Sequence, residues 1–108
     1  CGRIEHRNLV APDLTEIIER LVGQYAGTVD SVVLGCTHYP FVARQIRSVV
    51  GDVPLFESGA GTARELRRRL EETGRLAPAS QEGTVEFRSS RNTPEELALY
   101  RWFFTQEV

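Results

Sequence analysis

Apolar residues recur at Leu14, Ile17, Ile18, Leu21, Val22 and Tyr25, with polar and charged residues between them. That spacing lays one apolar stripe along a helix. Pro12-Asp13-Leu14-Thr15-Glu16 opens the helix with acidic residues near its positive end, and Gly27 is the predicted stop. Asp30 to Leu34 is a short β-branched run that reads as a buried strand. Pro40 suits the first turn of a second helix, where its missing N–H has no partner to lose. That helix carries Phe41, Val42, Ile46, Val49 and Val50 and ends near Gly51. Val53 to Phe56 predicts a second strand. Ser58 to Thr62 predicts a tight turn into a third helix, Ala63 to about Thr73, whose Arg64, Glu65, Arg67, Arg68, Arg69, Glu71 and Glu72 form a solvated face. A polar loop follows, from Gly74 to Gly83, and Thr84 to Arg88 alternates like a third strand. Thr93-Pro94-Glu95-Glu96 starts the last helix, with a threonine cap, proline at the first position and acids in the first turn. Leu97, Leu99, Tyr100, Trp102, Phe103 and Phe104 give that helix an aromatic cluster suited to a core or an interface.

Strands alternating with helices predict an α/β fold, a mostly parallel sheet flanked by helices. Ligands of such sheets bind beyond the carboxyl ends of the strands. The 108 residues, 41% hydrophobic and 26% charged, suit one soluble globular domain near the small end of the range, or a piece of a larger one. A net charge of −2 argues against a nucleic-acid partner. No apolar run approaches the roughly 20 residues of a membrane helix, and the first seven residues lack the basic-then-apolar order of a signal peptide. The chain has two cysteines and no methionine, so a partial or processed product is expected, with reduced thiols and a cytoplasmic setting.

The chemistry concentrates where the first strand ends. Val32 to Phe41 reads VVLGCTHYPF: an apolar run, then a thiol, a hydroxyl and an imidazole, then a proline. At the carboxyl end of a strand and the start of a helix, free N–H groups attract a carboxylate and favour a thiolate. Cys36 is then a candidate acid/base thiol, His38 a group that holds or exchanges its proton, and Thr37 a donor to an anion. Singly, each has a plainer reading: a cysteine as a small buried hydrophobe, a histidine as a hydrogen-bonded structural residue. Their combination is what points to function. One cysteine and one histidine two residues apart are too few ligands for a metal, so no metal site is expected.

Gly35-Cys36-Thr37-His38-Tyr39-Pro40 resembles the second catalytic cysteine motif of the glutamate racemases, in the aspartate/glutamate racemase superfamily. Glu57-Ser58-Gly59-Ala60-Gly61-Thr62-Ala63-Arg64 resembles the Asp-Ser-Gly and Thr-Ala-Arg stretch that follows in that family, with Glu57 in place of the usual aspartate. Ile4-Glu5, 31 residues before Cys36, resembles the segment carrying a catalytic glutamate, although His6-Arg7 follows it here. The tail from Val85 loosely resembles the family's C-terminal end. The likeness covers nearly the whole chain but only the back half of the family's protein, so the racemase-like fold is expected to be incomplete. Residues 1–58 would be the α/β core of the catalytic half, and residues 59–108 a segment that packs against a missing N-terminal half.

The resemblance implies an isomerase that interconverts L- and D-glutamate without a cofactor and supplies D-glutamate for peptidoglycan. Two cysteines face each other across the substrate: one thiolate takes the Cα proton and the other thiol returns one to the opposite face. On that likeness Cys36, His38 and Glu5 are catalytic and Thr37 and His38 touch the substrate. The family's other cysteine lies in a Cys-Asn-Thr motif absent here, and Cys1, followed by Gly2 and Arg3, is not expected to replace it. The isolated chain is therefore expected to be inactive, and its aromatic tail to support self-association as a homodimer. An aspartate or hydantoin racemase, a carboxylate-binding or docking module and, less well, a cysteine hydrolase are alternatives.

Overall fold

The computed structural model describes residues 1–7, 9 and 12–106. Its elements are α1 (Gly2–Glu5), α2 (Pro12–Val22), β1 (Val32–Leu34), α3 (Ala43–Val50), β2 (Leu55–Glu57), α4 (Gly59–Glu72) and α5 (Pro94–Phe104). Short 3-10 turns, Gly23–Tyr25 and Tyr39–Val42, follow α2 and precede α3. The chain divides into two compact units, Cys1–Ala60 and a second from Gly61 onward.

In the first unit β1 and β2 pair in parallel, Val32 beside Leu55, Val33 beside Phe56 and Leu34 beside Glu57. The crossover between them is the 3-10 turn and α3, so the fold class is α/β, as the alternation of patterns predicts. Helices α2 and α3 pack together through matched stripes. Leu14 and Ile18 on α2, and Ile46 and Val50 on α3 with Val42 just before it, are buried four residues apart. Leu34 of β1 and Ile4 of α1 are buried with them. Arg3 of α1 pairs with Asp13 of α2, and the Gln45 amide donates to the Leu9 carbonyl, closing α1 and its loop onto the helix pair.

Three expectations are corrected here. The apolar stripe of α2 outruns its cover: Leu21 and Tyr25 are exposed, because α3 is only eight residues long. The strand predicted over Asp30 to Leu34 is shorter and only partly buried. Val33 is 75% exposed and its register partner Phe56 56%, because α2 and α3 leave that face of the two-stranded sheet open. The predicted tight turn at Ser58 to Thr62 is helical from Gly59 onward. The Glu57 carboxylate caps that helix start, accepting from the Gly59 N–H and, at 3.5 Å, from the Ala60 N–H. Gly59 belongs there for a steric reason: a Cβ at this position would sit 2.8 Å from Glu57 Oε2.

The second unit contains no fully buried residue among those described. The charges of α4 are exposed, as the sequence predicts, and pair Glu65 with Arg68 and Arg69, Arg67 with Glu71 and Arg68 with Glu72 along the helix. Such solvated i,i+3 and i,i+4 pairs each add little stability. Gly74, with φ +64°, takes the left-handed position after α4, donating to the Glu71 carbonyl while Arg75 donates to that of Leu70. Thr84 to Arg88 is not a strand. Alternation prepares a segment for a sheet, but a strand exists only with a neighbour's N–H and C=O groups, and no strand lies beside this one among the described residues. Thr93 caps α5 by accepting from the Glu96 N–H at 3.4 Å, and Ser89 and Arg91 both donate to the Glu96 carboxylate. Phe87 meets Phe104 edge to face at 5.6 Å, and Trp102 meets Phe103 at 5.0 Å.

Candidate functional site

The loop Gly35–His38 leaves the carboxyl end of β1 and enters the 3-10 turn that leads into α3. A 3-10 turn, rather than the first turn of an α-helix, therefore follows Cys36. Pro40 lies at the start of this turn and costs it no hydrogen bond. The His38 carbonyl accepts from Phe41 and the Cys36 carbonyl from Tyr39, so the loop's own backbone holds the thiol and the imidazole in place.

Cys36 is half-buried, and its Sγ lies 3.8 Å from His38 Nδ1. The other ring nitrogen of His38, Nε2, lies 3.1 Å from Glu5 Oε1. Carboxylate, imidazole and thiol thus form one line of contacts. Glu5 reaches it because buried Ile4 anchors the short α1 in the core. This line joins three of the residues singled out in the sequence, across a separation of 31 positions. The Cys36 thiol is held below its ordinary value, chiefly by the His38 backbone N–H, then by the His38 side chain and its charge.

Thr37 is exposed and lines a cleft of about 230 Å³ together with Cys36, Pro40, Glu57, Ser58 and Gly59. Two strand ends and the start of α4 therefore surround the thiol, as expected for the carboxyl edge of a parallel sheet. Glu57 and Ser58 were visible in the sequence only as part of a resembling stretch. Their place on the cleft follows from the pairing of Leu34 with Glu57, which brings the ends of the two strands side by side.

Sequence reasoning set Cys1 aside and did not foresee its contact with Cys36. Its Sγ lies 3.4 Å from that of Cys36, and both thiols are free. No local pattern signals this contact, which depends on α1 docking on the core. A carbon between two thiols needs van der Waals room on each side, roughly 7 Å in all. At 3.4 Å the Cys1–Cys36 pair cannot hold a substrate carbon between its sulfurs.

A lowered thiol has a direct consequence. In a chelator-treated chain, alkylation of Cys36 by iodoacetamide should rise with pH around a midpoint below the ordinary value of about 8.5. Because the depressed value favours the thiolate, more of Cys36 reacts at neutral pH than of a free cysteine. His38→Ala removes the side-chain part and should move the midpoint upward, read at Cys36 by mass spectrometry. An unmoved midpoint would leave the backbone N–H as the whole cause.

Comparison with curated proteins finds similar chains. A glutamate racemase of Clostridium botulinum (strain Alaska E43 / Type E3) is 36% identical over 98 residues, which are 89% of this chain and 38% of the racemase. The glutamate racemase of Pseudomonas syringae pv. tomato is 36% identical over 105 residues, 95% of this chain and 38% of that protein. That of Methylococcus capsulatus is 40% identical over 98 residues, 89% of this chain and 35% of that protein. The chain is homologous to glutamate racemases. It spans 35% to 38% of the length of these three relatives. No family profile matches it. Among the described residues, no helix is long and apolar enough to cross a membrane.

Proposed function

We propose that the chain is the C-terminal part of a cofactor-independent racemase that interconverts L- and D-glutamate. Cys36 is one of its two proton-transfer thiols. The observation that carries this reading is the Glu5–His38–Cys36 line beside the Thr37 cleft in a glutamate racemase homologue. A Cα proton next to a carboxylate is very weakly acidic, so its removal needs a placed base and stabilisation of the charge that develops. In this reading Cys36, as thiolate, takes the proton on its face or, as thiol, returns one. His38 keeps the thiol's proton exchangeable and Glu5 fixes the imidazole. Thr37 donates to the substrate carboxylate.

The second thiol lies in the part of the protein outside this chain, so the isolated chain is inactive. The open sheet face at Val33 and Phe56, and the exposed ring of Phe104, support this reading: parallel sheets are ordinarily covered on both faces, and the rest of the protein, or a second copy at the aromatic tail, would supply the cover. The setting is the cytoplasm, where thiols stay reduced, and the product D-glutamate serves peptidoglycan.

The test is exchange in heavy water. The whole protein and the isolated chain are each given L-glutamate, and separately L-aspartate, without cofactor. Optical rotation and Cα deuterium are then followed. Racemisation of glutamate by the whole protein alone is expected. Turnover of aspartate but not glutamate would reassign the substrate, and glutamate binding without exchange would make the chain a carboxylate-binding module.

A further inference from the structure

Cys1 Sγ, Cys36 Sγ and His38 Nδ1 all lie within 4.8 Å of one another. The two sulfurs are 3.4 Å apart, and Cys36 Sγ is 3.8 Å from the nitrogen. A tetrahedral zinc ion holds thiolate sulfur at about 2.3 Å and imidazole nitrogen at about 2.0–2.1 Å, so its ligand atoms stand about 3.5–3.8 Å from each other. These two spacings match the edges of that tetrahedron to a few tenths of an ångström, and the third, from Cys1 to His38, is within 4.8 Å, so side-chain movements of about an ångström or less would admit the ion. The donor types also agree: two soft sulfurs and one imidazole select zinc and its neighbours over magnesium or calcium. The surroundings complete the pattern. His38 presents Nδ1 to the thiols while Nε2 meets the Glu5 carboxylate at 3.1 Å, the outer carboxylate that ordinarily fixes the tautomer of a metal-bound histidine.

We propose that Cys1, Cys36 and His38 form a three-ligand site for a thiophilic divalent cation of the zinc type, with Glu5 orienting the imidazole and the fourth position left to water or an anion. This goes beyond the racemase reading and does not rest on it. The two meet at one point: an ion at this site occupies the Cys36 sulfur and takes it out of any proton transfer.

The experiment uses the reduced, chelator-stripped chain titrated with cobalt(II), a coloured stand-in for zinc. The expected result is one ion per chain, with a thiolate-to-cobalt charge-transfer band that zinc abolishes by displacement. Cys1→Ser and Cys36→Ser should each lower affinity at least about tenfold and weaken the band, since each removes a sulfur ligand. Glu5→Gln should keep the band and lower affinity by about 10–100-fold. Glu86→Gln, outside the first unit, should change nothing. Far-UV circular dichroism checks that each variant is folded. A second readout needs no variant: stoichiometric zinc should protect both Cys1 and Cys36 from iodoacetamide. Unchanged affinity in folded Cys1→Ser, an alkylated Cys1 in the presence of zinc, or one ion shared by two chains in sedimentation would each overturn the proposal.

Discussion

Replacing Cys36 with serine in the whole protein is expected to lower glutamate racemisation by about 10²–10⁴-fold, the usual contribution of a placed acid/base group. Serine keeps the size and the hydrogen bonding of the side chain, but its hydroxyl is far too weak an acid to stand in as thiolate. Glutamate binding should change only a few-fold, because Thr37 and the cleft at Glu57, Ser58 and Gly59 are untouched. The pattern of residual exchange is more diagnostic than the rate. In the proposed mechanism each face has one thiol, so the remaining thiol can still take a Cα proton from its own side and return one from solvent to that side. Cys36→Ser should therefore retain slow deuterium incorporation into one enantiomer, without inversion, and lose it in the other. Equal loss for both enantiomers would mean that Cys36 acts structurally rather than as a one-face acid/base. Free activity in the variant would remove Cys36 from the mechanism.

Ile46→Ala is expected to destabilise the isolated chain by about 2–5 kcal/mol, the range for deleting most of a buried aliphatic side chain. Ile46 is 8% exposed on α3, between Val42 and Val50, and these residues face the Leu14–Ile18 stripe of α2. Among the described residues seven hydrophobic side chains form the buried core, all in the first unit, so neighbours have little capacity to refill the cavity. Against a total stability of about 5–15 kcal/mol for an ordinary domain, the loss is large. Urea denaturation followed by circular dichroism measures it, and Ile46→Val should cost only about 0.5–1.5 kcal/mol. An Ile46→Ala variant within about 0.5 kcal/mol of the parent would show that α2 and α3 do not carry the fold. The same core anchors α1 through Ile4. Loosening it should also let Glu5 drift from His38, visible as a changed pH profile of Cys36 alkylation.

Much of the site was legible in the sequence because its signals are local. Cys36, Thr37 and His38 are consecutive, and an apolar run before them with a proline after them puts them between strand and helix. Glu5 was singled out only through the family resemblance, and the structure brings it to His38 across 33 positions. Cys1 carried no signal, since its neighbours match no motif and its contact with Cys36 depends on where α1 docks. A metal site was set aside for want of ligands, and Cys1, the third ligand of the proposed site, is the residue that local reasoning had no means to place.

By itself the sequence determined what depends on a few adjacent residues. The caps and acids that start α5, the solvated charges of α4, the stripes of α2 and α3 and the strand-loop-helix address of Cys36 all act within one or two turns of chain. Tertiary structure decided what depends on partners distant in sequence. Thr84 to Arg88 alternates like a strand yet pairs with nothing among the described residues, Val33 and Phe56 are β-formers left on an open face, and Cys1 and Glu5 converge on Cys36 and His38. The physical reason is the same throughout: propensity and capping are settled by neighbours along the chain, whereas burial, strand pairing and side-chain constellations wait on which surfaces close over them.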